Sequence, residues 1–95
     1  MSAYIVVQVN VNDPVRYENY KTIVPPTLEA YGGKFLVRGG AVENLEGSWS
    51  PNRFVIIEFP STDKAKAWWS SAEYGPAKEL RQATADTEMI LVEGI

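Results

Sequence analysis

Arg38 closes the stretch K-F-L-V-R between two glycine pairs, and a loop bearing Glu46, Trp49 and Arg53 follows it. An arginine fork, an indole and the amide of Gln8, gathered at one cavity mouth, would hold the carboxylate or enolate of a planar ligand. The same residues also fit a plainer arrangement, in which Arg53 and Glu46 form a salt bridge that fixes the loop and Trp49 plugs it. Glu58 sits in the run F-V-I-I-E-F, a carboxylate on an otherwise apolar strand. A second carboxylate nearby, such as Glu93, would raise its pKa and make an acid–base pair. Its alternative is an ion pair with a lysine or arginine, outside any site, while Glu93 is solvated at its strand end. Glu58 is thus the candidate catalytic residue, and Arg38, Glu46, Trp49, Arg53 and Gln8 are the candidate ligand-binding residues.

What is missing narrows the chemistry further. The chain has no histidine and no cysteine, which excludes disulfides, thiolate nucleophiles, zinc fingers, His-ligated haem and His-dependent hydrolase triads. Acid–base work falls to Asp, Glu, Lys, Tyr or bound water. The carboxylates are not clustered as a metal loop requires, so neither a metal nor another cofactor is expected. The glycine pairs do not have phosphate-loop spacing before a helix. A net charge of −3 argues against nucleic acid or an anionic membrane as partner. No apolar stretch approaches the roughly 20 residues of a membrane span. The N-terminal M-S-A-Y-I-V-V-Q-V-N-V lacks the basic start of a signal peptide, so a cytoplasmic location is expected.

These residues need a scaffold, and 95 residues with 45% hydrophobic and 22% charged side chains suit one folded domain, 1–95. Tyr4–Val11 reads as a first strand. Asp13 and Pro14 open a helix whose stripe is Tyr17, Tyr20, Val24, Leu28 and Tyr31, with a kink or break expected at Pro25–Pro26. Gly32–Gly33 stop it, one of them in the left-handed conformation. K-F-L-V-R-G-G is a second strand, with Gly39–Gly40 turning it so that Arg38 faces a cavity. The segment from Ala41 to Arg53 reads as a hairpin extension and loop, and F-V-I-I-E-F-P as a third strand. Ser61 or Thr62 caps a helix carrying Ala65, Trp68, Trp69 and Ala72. A further helix carries Tyr74, Ala77, Leu80 and Ala83 or Thr84, with Pro76 in its first turn. E-M-I-L-V-E-G is the fourth strand. The order β-α-β-β-α-β predicts an α+β, ferredoxin-like fold with an antiparallel four-stranded sheet in order 4-1-3-2.

Two helical layers cannot cover both faces of such a sheet. Ile5, Val7, Val9, Val55, Ile57 and Phe59 suit the helices. The other face carries Tyr4, Val6, Gln8, Phe54, Ile56 and Glu58, with Met89, Leu91 and Glu93 expected beside them. That face is too apolar to meet water. Each such side chain contributes about 1.5–3 kcal/mol when buried, so a homodimer joined through its open sheet faces is expected.

The string Y-G-G-K-F-L-V-R-G-G, then L-E-G-S-W, P-N-R-F-V-I-I-E-F-P-S, A-K-A-W-W-S-S-A-E-Y and L-V-E-G, resembles domain of unknown function 1330 over nearly the whole chain. The resemblance implies a dimeric α+β barrel and, through the wider superfamily, cofactor-free monooxygenases and isomerases. It supplies no catalytic residue to carry over. Two functions therefore stand side by side. One is a cofactor-free enzyme, monooxygenase- or isomerase-like, acting on a small hydrophobic or aromatic metabolite. The other is a non-catalytic small-ligand-binding or structural dimer module. An RNA-binding role on the same topology is excluded by the acidic charge and the missing basic–aromatic strand pattern.

Overall fold

Alternation along Ala3–Val11 makes β1, which turns Ile5, Val7 and Val9 to one side and Tyr4, Val6 and Gln8 to the other. The computed structural model describes residues 1–95. Its other strands are β2 (Lys34–Arg38), β3 (Arg53–Phe59) and β4 (Ala85–Glu93). They form one sheet in the order β2-β3-β1-β4, every neighbour antiparallel. Directly opposed residues of an antiparallel pair share a face. Ile5 opposes Ile57 and Leu91, and Val7 opposes Val55 and Met89, so one face collects the aliphatic core. Helices α1 (Pro14–Glu29), α2 (Thr62–Trp69) and α3 (Gly75–Thr84) cover that face. Trp68 and Tyr74 are completely buried beneath them, their rings 3.9 Å apart. The architecture is ferredoxin-like α+β, with the second helical crossover divided between α2 and α3.

Local chemistry sets the helix ends. The Asp13 carboxylate accepts from Arg16 N at 3.2 Å, and Ser61 Oγ accepts from Lys64 N at 3.2 Å, each satisfying one free amide of a first turn. Gly32, at φ +74°, carries the chain out of α1 in a conformation open to glycine. No loop separates α3 from β4, and Thr84 O accepts from both Asn12 N and Asp13 N, clasping the two junctions together.

Three expectations are corrected. Pro25 and Pro26 neither kink nor break α1, which runs unbroken from Pro14 to Glu29. Pro25 has no N–H for the carbonyl of Lys21, and the Arg38 guanidinium donates to that oxygen at 2.5 Å instead. Met89, Leu91 and Glu93 lie on the helix-covered side, and Glu88, Ile90 and Val92 take the open face. Residues 89–92 are apolar without alternation, so periodicity could not choose between the two parities. The segment between Arg38 and Arg53 extends no hairpin; it is irregular and exposed.

Candidate functional site

A bulge between Phe35 and Val37 reverses the alternation of β2. Phe35 opposes Ile57 on the covered face, Val37 opposes Ile56 on the open face, and Arg38 opposes Val55 on the covered face again. The bulge, and not the glycine pair, turns Arg38 toward the helices. Gly39 has another purpose: at φ +75° it tolerates no side chain easily, and a Cβ there would run into the Arg53 guanidinium. Arg53, opposite Val9, therefore also reaches the covered face.

Both arginines border a narrow cavity of about 30 Å³ between α1 and the sheet, enough for one or two waters. Val7, Val9, Val24, Val55, Ile57 and Trp68 supply its apolar wall. Its polar groups are Tyr17, Tyr20, Lys21, Arg38, Arg53 and a third arginine, Arg81 of α3; Lys21 is paired with Glu18 at 3.0 Å. The Tyr20 and Tyr74 hydroxyls are 2.9 Å apart, and Arg81 Nε donates to Tyr74 Oη at 3.2 Å. The Arg53 guanidinium carbon stands 5.7 Å from the Tyr17 ring centre. Burial holds the Tyr17 hydroxyl above the usual tyrosine range, against the opposing pull of Arg53. Burial, reinforced by Tyr74, raises that of Tyr20 much further. Both phenols are therefore neutral hydrogen-bonding groups at ordinary pH, with no negative charge to balance the arginines.

Arg81 and Met89 also border a wider groove of about 590 Å³, bounded by α2, α3 and the edge strand β4. Ala65, Lys66, Trp69, Thr87 and Leu91 line it. Cavity and groove thus meet at Arg81.

The remaining sequence-predicted residues lie elsewhere. Gln8 is on the open face, where its Oε1 accepts from Trp49 Nε1 at 2.6 Å. Trp49 meets the Phe54 ring edge-on at 5.8 Å, so the irregular segment is pinned over one end of that face. Glu58 is on the open face too, 3.3 Å from Lys34 Nζ and 3.3 Å from the Tyr4 hydroxyl that donates to it. The sheet separates it from the arginines of the cavity. Glu93 opposes Ala3, on the other face from Glu58, so the two carboxylates make no pair. Glu46 is exposed and forms no ion pair with Arg53. The structure therefore sets Arg38 and Arg53 on one cavity, joins Gln8 to Trp49 on the open face, and ties Glu58 on that same face to Lys34 and Tyr4 instead.

Arg81 and the paired hydroxyls of Tyr20 and Tyr74 were not among the expected site residues. A signal for Arg81 existed. The buried stripe of α3 is Tyr74, Ala77, Arg81 and Thr84, at spacings of three, four and three. Of the residues expected on that face, Leu80 flanks it, and of the pair Ala83 or Thr84 it is Thr84 that is buried. An arginine on the inward stripe of an amphipathic helix needs a partner there.

The sheet, its antiparallel order and the helices on one face define a ferredoxin-like α+β protein. More particularly, the chain belongs to the family described as Domain of unknown function (DUF1330), whose model matches residues 2–95. No curated protein matches it. Solved structures share its fold. A protein of unknown function from Rhodopseudomonas palustris is 20% identical with a TM-score of 0.80, over 99% of this chain and 82% of that one. A dimeric ferredoxin-like protein of unknown function from Jannaschia sp. CCS1 is 11% identical with a TM-score of 0.74, over 99% and 100%. SnoaB from Streptomyces nogalater, a cofactor-independent oxygenase, is 14% identical with a TM-score of 0.69, over 99% and 93%.

Proposed function

We propose that this protein is a homodimer joined through its open sheet faces, and that each subunit binds a small hydrophobic or aromatic metabolite under the helices. It then acts on that molecule as a cofactor-free enzyme of the monooxygenase or isomerase kind. One observation carries the reading: a narrow apolar cavity and a wider groove of mixed lining share Arg81 and Met89 between the helices and the sheet. SnoaB, which has this fold, is described as a cofactor-independent oxygenase, and that supports the choice of chemistry. Arginine guanidinia and neutral phenols can stabilise oxyanion character developing on a substrate without any metal. Glu58, tied to Lys34 and Tyr4, serves the dimer interior in this reading.

The dimer rests on Val6, Val37, Phe54, Ile56, Ile90 and Val92, an apolar group on the face that no helix covers. Ile90 is 60% exposed in the single subunit. The Jannaschia protein is described as dimeric, which supports the same arrangement here. No helix is long and apolar enough to cross a membrane, and we propose a cytoplasmic location.

The test is Arg38→Met. Ligand binding, measured by native mass spectrometry of the co-purified small molecule, should be lost while the melting temperature stays within a few degrees. Unfolding of the variant would make Arg38 a purely structural tether of α1. Unchanged binding would take Arg38 out of the ligand site, and the absence of any bound molecule in the unaltered protein would favour a structural dimer.

A further inference from the structure

Arg81 is 5% exposed, and a buried guanidinium needs a negative partner or a full set of acceptors. The chain's three ion pairs are Arg16–Asp13, Lys21–Glu18 and Lys34–Glu58. None of them uses Arg38, Arg53 or Arg81. No Asp or Glu lines the cavity. Glu88, on the groove rim, stays more than 4.0 Å from any arginine nitrogen. Nε of Arg81 donates to Tyr74, while its two Nη atoms, the edge that grips a carboxylate, have no protein acceptor and are not sealed from solvent. Only two buried side-chain polar atoms in the chain lack a hydrogen-bond partner, Arg53 Nε and Thr87 Oγ1. The first belongs to a residue lining the cavity and the second to one lining the groove.

We propose that the ligand is an organic carboxylate with a flat apolar body, held with its carboxylate on the Nη edge of Arg81 where groove and cavity meet. This rests on the ligand-binding reading above and specifies its chemistry. The groove, at about 590 Å³, has the size of sites that hold one small organic molecule. Trp69, Met89 and Leu91 flank the body of the ligand there. Arg53, beyond Arg81, adds positive charge without touching it, and the Thr87 hydroxyl donates to the ligand from β4. Carboxylate and guanidinium match as a planar, two-bonded pair, which a neutral amide of the same shape cannot reproduce.

Calorimetric titration of the purified protein with 2-naphthoate and with its neutral isostere 2-naphthamide tests this. The carboxylate should bind at least tenfold more tightly. Arg81→Gln should remove that preference while the amide binds as before, and Arg81→Lys should restore part of it. Equal binding of the two probes to the unaltered protein overturns the carboxylate assignment and leaves the ligand site standing. Binding of neither probe overturns both. A preference that survives in folded Arg81→Gln overturns the role given to Arg81. Should circular dichroism show that variant unfolded, Arg81→Lys replaces it, and a preference undiminished there overturns the two-bonded Arg81 assignment.

Discussion

The two faces of the sheet are made from the same strands and treat charge in opposite ways. On the open face, which one subunit leaves partly exposed, Glu58 is neutralised by Lys34 and hydrogen-bonded by Tyr4. On the covered face three arginines border one cavity and none has a carboxylate. Arg38 reaches solvent and Arg53 is half-buried, but Arg81 is buried, where an unpaired charge costs most. Stability alone predicts the reverse. A face that closes its charges internally is suited to packing against another protein surface, and one that leaves a single sign uncompensated is suited to a ligand of the other sign.

The contrast can be broken at its foundation. Trp68→Ala removes a fully buried indole that stacks on Tyr74 and donates to Thr27 Oγ1 at 3.0 Å. It should cost about 3–5 kcal/mol, read as a lowered urea midpoint, and a loss below 1 kcal/mol would mean that the covered face is not the core.

Ile56→Glu acts on the other face, placing a carboxylate amid the proposed dimer contact. Light scattering at micromolar concentration should change from dimer to monomer mass, a weakening of association by at least a hundredfold, about 2.7 kcal/mol. A dimer that persists would move the interface elsewhere.

Alkaline pH separates the faces more finely. Tyr17 and Tyr20 have native pKa values raised above 10.0, with burial the first cause in each. Between that value and their native ones the folded chain keeps protons that the unfolded chain has lost. Stability is therefore fully present below about pH 10 and falls as pH rises through the native values. In a Tyr17→Phe/Tyr20→Phe protein the alkaline loss should shrink, and an identical alkaline profile would refute the assignment. Lys34→Met should do least, at most about 1 kcal/mol of stability, because the lysine is largely exposed.

Legibility in the sequence followed the same division. In β1 and β3 the polar Gln8, Asn10 and Glu58 share one parity, which leaves Ile5, Val7, Val9, Val55, Ile57 and Phe59 as the face beneath the helices. β4 was ambiguous because Met89, Ile90, Leu91 and Val92 are apolar in both parities, and only pairing with β1 settles which pair is inside. Arg38 was legible as a site residue, but not its route inward, since a bulge is a property of pairing and not of composition. Arg53 and Glu46, close in sequence and opposite in charge, suggested a salt bridge that the backbone direction of β3 prevents. Arg81 is hard to read for a general reason: arginines on helices mostly face water, and Leu80 beside it is the apolar choice for the same turn of the Tyr74–Ala77–Thr84 stripe.

Two missing rungs in α1 divide its motions as well as its hydrogen bonds. Pro25 and Pro26 carry no amide proton, so the ladder lapses in mid-helix and the turns on either side can open separately. The lapse is spanned by Arg38 gripping Lys21 O, and by Thr27, whose hydroxyl donates to Val24 O at 2.6 Å while accepting from the Trp68 indole. In deuterium exchange, α1 should behave as two short segments with separate protection. The seam between them lies beside Val24, in the wall of the cavity. An exchange experiment on this one helix thus times how often that wall loosens.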